Sequence, residues 1–169
     1  MSLPRRKNIR LKNFDYSFDG AYFITICVKE RRRILSNIVG TGVPDCPQVI
    51  LLSRGIIAEK YINQLNDFYE NISIDKYIIM PDHIHLLLSI TSDEKHSTNE
   101  AHKKTNNINS FIPKFISSFK RFCNKEYGEN IWQQRYYDHV VRNQDDYKEI
   151  LEYIENNPIN WVLTKSQDV

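Results

Sequence analysis

Only three cysteines, Cys27, Cys46 and Cys123, are spread over 169 residues, and no two of them form a CxxC pair. That spacing implies neither a thiolate zinc site nor a disulfide framework. The sequence also lacks any apolar run approaching the ~18 residues that a membrane-crossing helix requires, so no transmembrane segment is expected. The basic N-terminal stretch MSLPRRKNIRLKNF has no apolar segment after it, and a secretory signal is therefore not expected. A hydrophobic content of 41% and a mean hydropathy of −0.53 fit a soluble globular protein. The length fits a single domain over 1–169 with room for a real core. The resulting expectation is cytoplasmic residence with no membrane partner.

Charge is present but segregated. The formal net charge is +2. By segment it runs +6 over residues 1–33, −5 over 34–102, +6 over 103–125 and −5 over 126–169. Two basic segments in a nearly neutral chain point to a localised polyanion-binding surface. The same pattern also arises from two solvated faces that never meet.

Residues 1–13 are basic and aperiodic and read as an arm. Ala21–Lys29, AYFITICVK, is rich in β-branched and aromatic residues and is predicted to be a strand, with Arg31, Arg32 and Arg33 at its end. Ile34–Val39 extends a strand, Gly40–Pro47 is a Gly/Pro loop, and Val49–Leu52 is a short apolar run. Ser53 is a candidate N-cap for a helix. In that helix Ile56, Ile57, Lys60, Tyr61, Gln64, Leu65 and Phe68 trace a 3.6-residue stripe. Thr91–Ser110 is polar without an apolar pattern and reads as a loop. Ile112–Tyr127 is predicted to be a helix with Phe115, Ile116, Phe119, Phe122 and Cys123 on one face. Lys114, Lys120, Arg121 and Lys125 lie largely off that face. Tyr136–Arg142 reads as a further strand.

Between these elements lies the most informative stretch, YIIMPDHIHLLLSI, residues 77–90. Ile72–Met80 and His83–Ile90 are two apolar strands joined at Pro81-Asp82, and they are expected to form a hairpin. Side chains alternate across a strand, so His83 and His85 share one face, pointing out of the core, while Ile84, Leu86 and Leu88 share the other. Two imidazoles on one strand face are a platform for a single metal ion. Two ligands do not complete a site, and the last helix offers more. Asn143 caps it, with Asp145 and Asp146 in its first turn. Tyr147, Ile150, Leu151 and Ile154 form its buried stripe, and Pro158 is expected to stop it near Asn157. Tyr153 then falls on the polar flank, and Asn157 stacks one turn beyond it, at the negative end of the helix dipole.

Three blocks carry a resemblance: YFITICVKERRRIL near the start, MPDHIHLLL in the middle, and WQQRYYDHVVRNQDDYKEILEYIENNP from Trp132 to Pro158. In order and spacing they resemble the HUH single-tyrosine transposases of small bacterial insertion sequences, and above all the REP-associated tyrosine transposases, over residues 20 to 161. The resemblance implies an α+β, ferredoxin-like (split βαβ) antiparallel sheet of four to five strands. Helices lie on one face, and a C-terminal catalytic helix is brought against the site. The order strand, helix, strand, strand, helix, strand, helix, read from periodicity, agrees with a split βαβ plan. The resemblance further implies that His83 and His85 bind a divalent metal, that Tyr153 is the nucleophile, and that Asn157 stands as the polar third ligand. Two imidazoles and an amide favour Mn²⁺ or Zn²⁺ by affinity; the resemblance implies Mg²⁺ or Mn²⁺.

The implied activity is cleavage and rejoining of single-stranded or hairpin DNA through a 5′-phosphotyrosine, by a monomer or homodimer. Phosphate contacts are expected from Arg5, Arg6, Lys7, Arg31, Lys114, Lys120, Arg121 and Arg142; His139 is a spare candidate ligand or acid, though its strand position favours a structural or DNA-contact role. Tyr136 and Tyr137 are rival nucleophiles. Two other classes remain open on the residues alone: a DNA-binding module without useful cleavage, and a metal phosphoesterase that uses water.

Overall fold

The computed structural model describes residues 20–40, 47–91 and 111–165. The arm at 1–13, residues 41–46 of the Gly/Pro loop and residues 92–110 of the polar insertion lie outside the described residues.

Alternation builds the sheet. In β1 (Gly20–Cys27) Tyr22, Ile24 and Ile26 are buried on one face, and in β5 (His83–Ile90) Ile84, Leu86, Leu88 and Ile90 are buried on the same face. The two strands pair antiparallel in full register, from Gly20↔Ile90 to Cys27↔His83. β4 (Ile72–Ile79) pairs with β5 as the expected hairpin, with a register shift between Ile74 and Lys76. A backbone bond from Met80 N to His83 O, 2.9 Å, closes the turn at Pro81-Asp82. β6 (Tyr137–Val140) pairs with the other edge of β1, so the strands lie side by side as β4-β5-β1-β6. Counted within the sheet this is second, third, first, fourth, the antiparallel arrangement of a split βαβ fold.

Helices α1 (Ser53–Phe68) and α2 (Phe111–Tyr127) cover the Ile/Leu face of the sheet. From α2, Ile112, Phe115, Ile116, Phe119 and Cys123 complete the larger core, while Phe122 is only partly buried at its edge. Helix α3 (Gln144–Lys165) lies against the opposite face. There Ile150 and Ile154 join Phe23 and Leu87 in a second, smaller core, with Tyr147 and Leu151 at its margin. Burying side chains of this size stabilises by about 1.5–3 kcal/mol each, which fixes α3 across the strand that carries both histidines. No described helix is long and apolar enough to cross a membrane.

Several expectations need correction. Ser53 is the first residue of α1 rather than its cap; Leu52 holds the cap position and no side chain bonds there. The buried face of α1 is Gly55, Ala58, Ile62 and Leu65, while Ile56 and Phe68 are exposed. The reason is close approach: a Cβ on Gly55 would run into the carbonyl oxygen of Leu35. Gly55 and Ala58 therefore turn inward at the start of the helix, with Ile62 and Leu65 following; of the expected stripe Leu65 is buried and Tyr61 packs at the core's edge, while Ile56 and Phe68 stay outside. The strand expected within Ile34–Val39 is present over Ser36–Val39 (β2), but it stands apart from the main sheet. With β3 (Gln48–Leu51) it forms a separate hairpin. β1 ends at Cys27 because a 3-10 turn follows at Lys29–Arg31, in which Glu30 and Arg31 take φ of 55° and 54°.

The largest correction concerns Pro158, which does not stop α3; the helix continues to Lys165 with the proline inside it. A helix-interior proline removes one hydrogen bond, but here it is itself buried, and Trp161 beyond it packs near His83 and under Arg33. Packing on both sides of the proline holds the last turns. Asn157 consequently lies in the interior of the helix, and the dipole argument for a cation at its C-terminal end does not apply.

Candidate active site

β5 presents His83 and His85 toward α3, as strand alternation requires. Both are buried beneath that helix, at 9% and 4% exposure, rather than standing open to solvent. Their Nε2 atoms converge to 3.0 Å, and each ring is held by its other nitrogen. His83 Nδ1 meets Asp82 Oδ1 at 2.5 Å, and His85 Nδ1 meets Thr25 Oγ1 at 2.8 Å. Partners on the far nitrogen are what fix the tautomer and direction of an imidazole ligand. Burial and the neighbouring His83 and Arg31 charges pull the pKa of His85 down to about 3, so the ring is a neutral donor at physiological pH. Burial would raise the pKa of Asp82, but the hydrogen bond to His83, the charge of His83 and Arg31 at 3.7 Å together hold it below the ordinary carboxylate value.

Tyr153 projects from α3 onto this pair. Its ring lies 5.3 Å from that of His85 and 5.9 Å from that of Phe23, edge-on to the latter, and 47% of the residue is exposed. Phe23 also stacks on His85, with centroids 5.0 Å apart, so one aromatic side chain braces both. Tyr153, Asn157 and Trp161 stand four residues apart on one flank of α3. Asn157 is buried at 7% exposure, and Trp161 lies 6.2 Å from His83 with the Arg33 guanidinium 5.4 Å from its ring centre. The helix therefore lays a phenol and an indole along the histidine pair, with the buried Asn157 one turn from each in the helix.

The other expected site residues divide by position. Arg31 borders the pair through Asp82. Lys114 and Arg121 are exposed on α2, beyond the opposite face of the sheet. Lys120 is half-buried, and its ammonium donates to the carbonyls of Gln133 and Gln134 at 2.8 and 3.4 Å; it ties down a loop. Arg142 is exposed at the start of α3, where its backbone N–H bonds Asp146 Oδ2. His139 pairs with Asp146 at 2.9 Å, an interaction that anchors β6 to the first turn of α3, with Asn143 Oδ1 capping Asp146 N–H at 2.9 Å as expected. Arg5, Arg6 and Lys7 lie outside the described residues. Of the rival tyrosines, Tyr137 faces the same side as His85, because both pair with Thr25. Tyr136 is partly buried in the larger core.

Sequence reasoning missed Asp82, Thr25, Phe23 and Trp161. Thr25 and Phe23 were legible in principle, since they alternate with the core residues of β1. Trp161 was hidden by the assumption that Pro158 ends the helix.

The chain as a whole is similar to known proteins. Residues 16–157 match the family described as "Transposase IS200 like". An uncharacterized protein of Haemophilus influenzae is 31% identical over 170 residues, spanning 94% of this chain and 91% of its own. The REP-associated tyrosine transposase of Escherichia coli K12 is 24% identical over 149 residues, spanning 87% of this chain and 72% of its own. A solved REP-associated tyrosine transposase bound to a REP hairpin superposes with a TM-score of 0.60 at 18% identity, covering 95% of this chain and 74% of that one. That likeness is one of fold.

Proposed function

This chain belongs to the family of IS200-like transposases, and on that premise we propose that it cleaves and rejoins single-stranded or hairpin DNA through a covalent bond to Tyr153. The observation that carries the reading is the placement of an exposed phenol against two buried, converging imidazoles. In the forward step the Tyr153 oxygen attacks phosphorus, a new P–O bond forms, and the bond to the 3′ oxygen breaks. The products are a 5′-phosphotyrosine and a free 3′-OH. A 3′-OH attacking that phosphotyrosine reverses the exchange, so rejoining needs no nucleotide cofactor.

His83 Nε2 and His85 Nε2 would hold a divalent cation, Mg²⁺ or Mn²⁺ on the family resemblance, and of these two the imidazole pair favours Mn²⁺. Among the described residues no three His, Cys, Asp or Glu side chains gather around one point, so a third protein ligand must be of another type. Buried Asn157, on the flank of Tyr153, is the residue we assign to it. Such an ion supplies Lewis-acid polarisation of the phosphoryl oxygen. Asp82 and Thr25 hold the imidazoles in register, Phe23 braces His85 and Tyr153, and Arg31 at the rim offers positive charge to the phosphodiester. Arg142, exposed at the start of α3, adds to that charge, whereas Lys114 and Arg121 on α2 would meet only DNA that wraps around the edge of the sheet.

The relative bound to a REP hairpin supports hairpin-flanked strands as the substrate to try first. Incubation of the full chain with labelled hairpin DNA and Mn²⁺, followed by peptide mass mapping, should give an adduct on Tyr153 that a chelator prevents. DNA binding without any adduct would leave a binding module. Release of product without an adduct would indicate hydrolysis by water.

A further inference from the structure

The turn that follows β1 is tied at both ends to one place. Val28 N–H bonds the carbonyl of Asp82 at 2.9 Å, and the N–H groups of Ile34 and Leu35 both bond the carbonyl of Pro81 at 3.0 Å. Residues 29–33 are thereby held against the Pro81-Asp82 turn that leads into β5. Within them Glu30 and Arg31 both take the left-handed conformation, with φ of 55° and 54°. Neither is a glycine, so each Cβ crowds its own backbone. Strain of this kind persists where the surroundings over-determine it, and it clusters at functional sites.

The strained turn sends its three arginines to different places. Arg32 reaches Glu129 at 3.6 Å, and Arg33 lies over Trp161. Arg31 turns to Asp82, with its guanidinium 3.7 Å from Oδ1. That separation makes an ion pair but exceeds hydrogen-bonding distance. The Arg31 side chain is 56% exposed, so its N–H donors are open to a ligand arriving from solvent.

Order along β5 supplies the direction. Asp82, His83 and His85 follow one another along the chain. Arg31 stands at the Asp82 end and Tyr153 at the His85 end. The converging imidazole Nε2 atoms lie between. Displacement at phosphorus sets the attacking and leaving oxygens roughly in line, on opposite sides. A phosphodiester seated on the imidazole pair and attacked from the Tyr153 side sheds its leaving oxygen toward Arg31.

We propose that Arg31 is a catalytic residue of strand cleavage that donates N–H bonds to the 3′ oxygen as it leaves. This rests on the reading of Tyr153 as the nucleophile. As the Tyr153 oxygen bonds to phosphorus, the P–O3′ bond breaks and its electron pair stays on the 3′ oxygen. The phenol gives its proton to water and the 3′ oxygen takes one from water, so no further reactant is needed. Arg31 keeps its proton throughout, since a guanidinium does not deprotonate in a protein. It stabilises the negative charge that develops on the 3′ oxygen, and the fixed turn orients it in advance. In the reverse step the same donors hold the attacking 3′-OH.

The test changes the leaving atom. A hairpin substrate carries sulfur in place of the 3′ oxygen at the bond that wild type cleaves. A thiolate is a far weaker base than an alkoxide and leaves without such help. Adduct formation by the full chain with Mn²⁺ is timed in single turnover, and thermal melting confirms that each variant is folded. On the oxygen substrate Arg31→Ala should be slower than wild type by roughly a hundredfold or more. On the sulfur substrate the two should agree within about threefold. Arg31→Lys keeps the charge beside Asp82 but not the planar fork, and should show a smaller defect that sulfur also removes. Arg32→Ala takes the same charge from the same turn and should match wild type on both substrates. A defect of Arg31→Ala as large on sulfur as on oxygen, no defect on oxygen, or an equal defect in Arg32→Ala overturns the proposal and leaves the Tyr153 reading standing. If wild type forms no adduct on the oxygen substrate, the Tyr153 reading fails and the proposal falls with it.

Discussion

The ring of Tyr153 stands 5.3 Å from the ring of His85, across the boundary between α3 and the sheet. A nucleophile on one element and its partner on another are held together by the packing of Phe23, Leu87, Ile150 and Ile154, with Tyr147–Asp75 and Lys76–Glu155 bonds tying α3 to β4. The first prediction tests this relationship. Tyr153→Phe keeps both ring contacts and removes only an exposed hydroxyl, so stability should change by less than about 0.5 kcal/mol. Covalent attachment should vanish. Tyr147→Phe loses the bond to Asp75 but should still form the adduct, as mass mapping of the two variants will show.

Asp82 holds His83 by its Nδ1, and replacement by Asn removes the charge while keeping the shape. Orienting partners of this kind are typically worth 10–100-fold in metal affinity. Titration calorimetry with Mn²⁺ should show a loss of roughly that size for Asp82→Asn. Unchanged affinity would mean that His83 is positioned by the strand alone.

His85 carries a pH signature. Its pKa is about 3 in the folded chain against an ordinary 6.5, so between these values the unfolded state binds more protons. The associated stability is fully present above pH 6.5 and is lost as pH falls toward 3. The loss is on the order of a few kcal/mol. Denaturant melts in chelator from pH 7 to pH 4 should show the decline, and His85→Gln should flatten it. A slope that Gln leaves untouched would assign the effect to other groups.

Gly55 sets two effects against each other. Alanine is favoured over glycine in a helix by about 1 kcal/mol, but its Cβ would collide with the Leu35 carbonyl. Overpacking costs about 1–3 kcal/mol and should win, because the obstacle is backbone. Gly55→Ala should therefore melt below wild type in a thermal scan; a higher melting temperature would show that α1 can shift without cost.

What the sequence by itself determined is what covalent spacing encodes. The two-residue period of His83–Ile90 placed both imidazoles on the face opposite Ile84, Leu86 and Leu88. The 3.6-residue period of Tyr147, Ile150, Leu151 and Ile154 chose the buried side of α3 and left Tyr153 on its flank. Asn143 three residues before Asp146 marked the helix start. In each case the neighbours that matter are close along the chain. Tertiary structure decided the rest. On α1 the approach of Leu35 to Gly55 turns Gly55 and Ala58 inward and leaves Ile56 outside, which the period of the stripe did not show. Pro158 weakens α3 locally, yet burial of the proline and the contacts of Trp161 with His83 and Arg33 carry the helix past it. The histidines became buried, oriented donors only when Asp82, Thr25 and Phe23 closed around them. A period can say which way a side chain points; what it meets there depends on residues tens of positions away, brought close by the packing of α3 on the sheet.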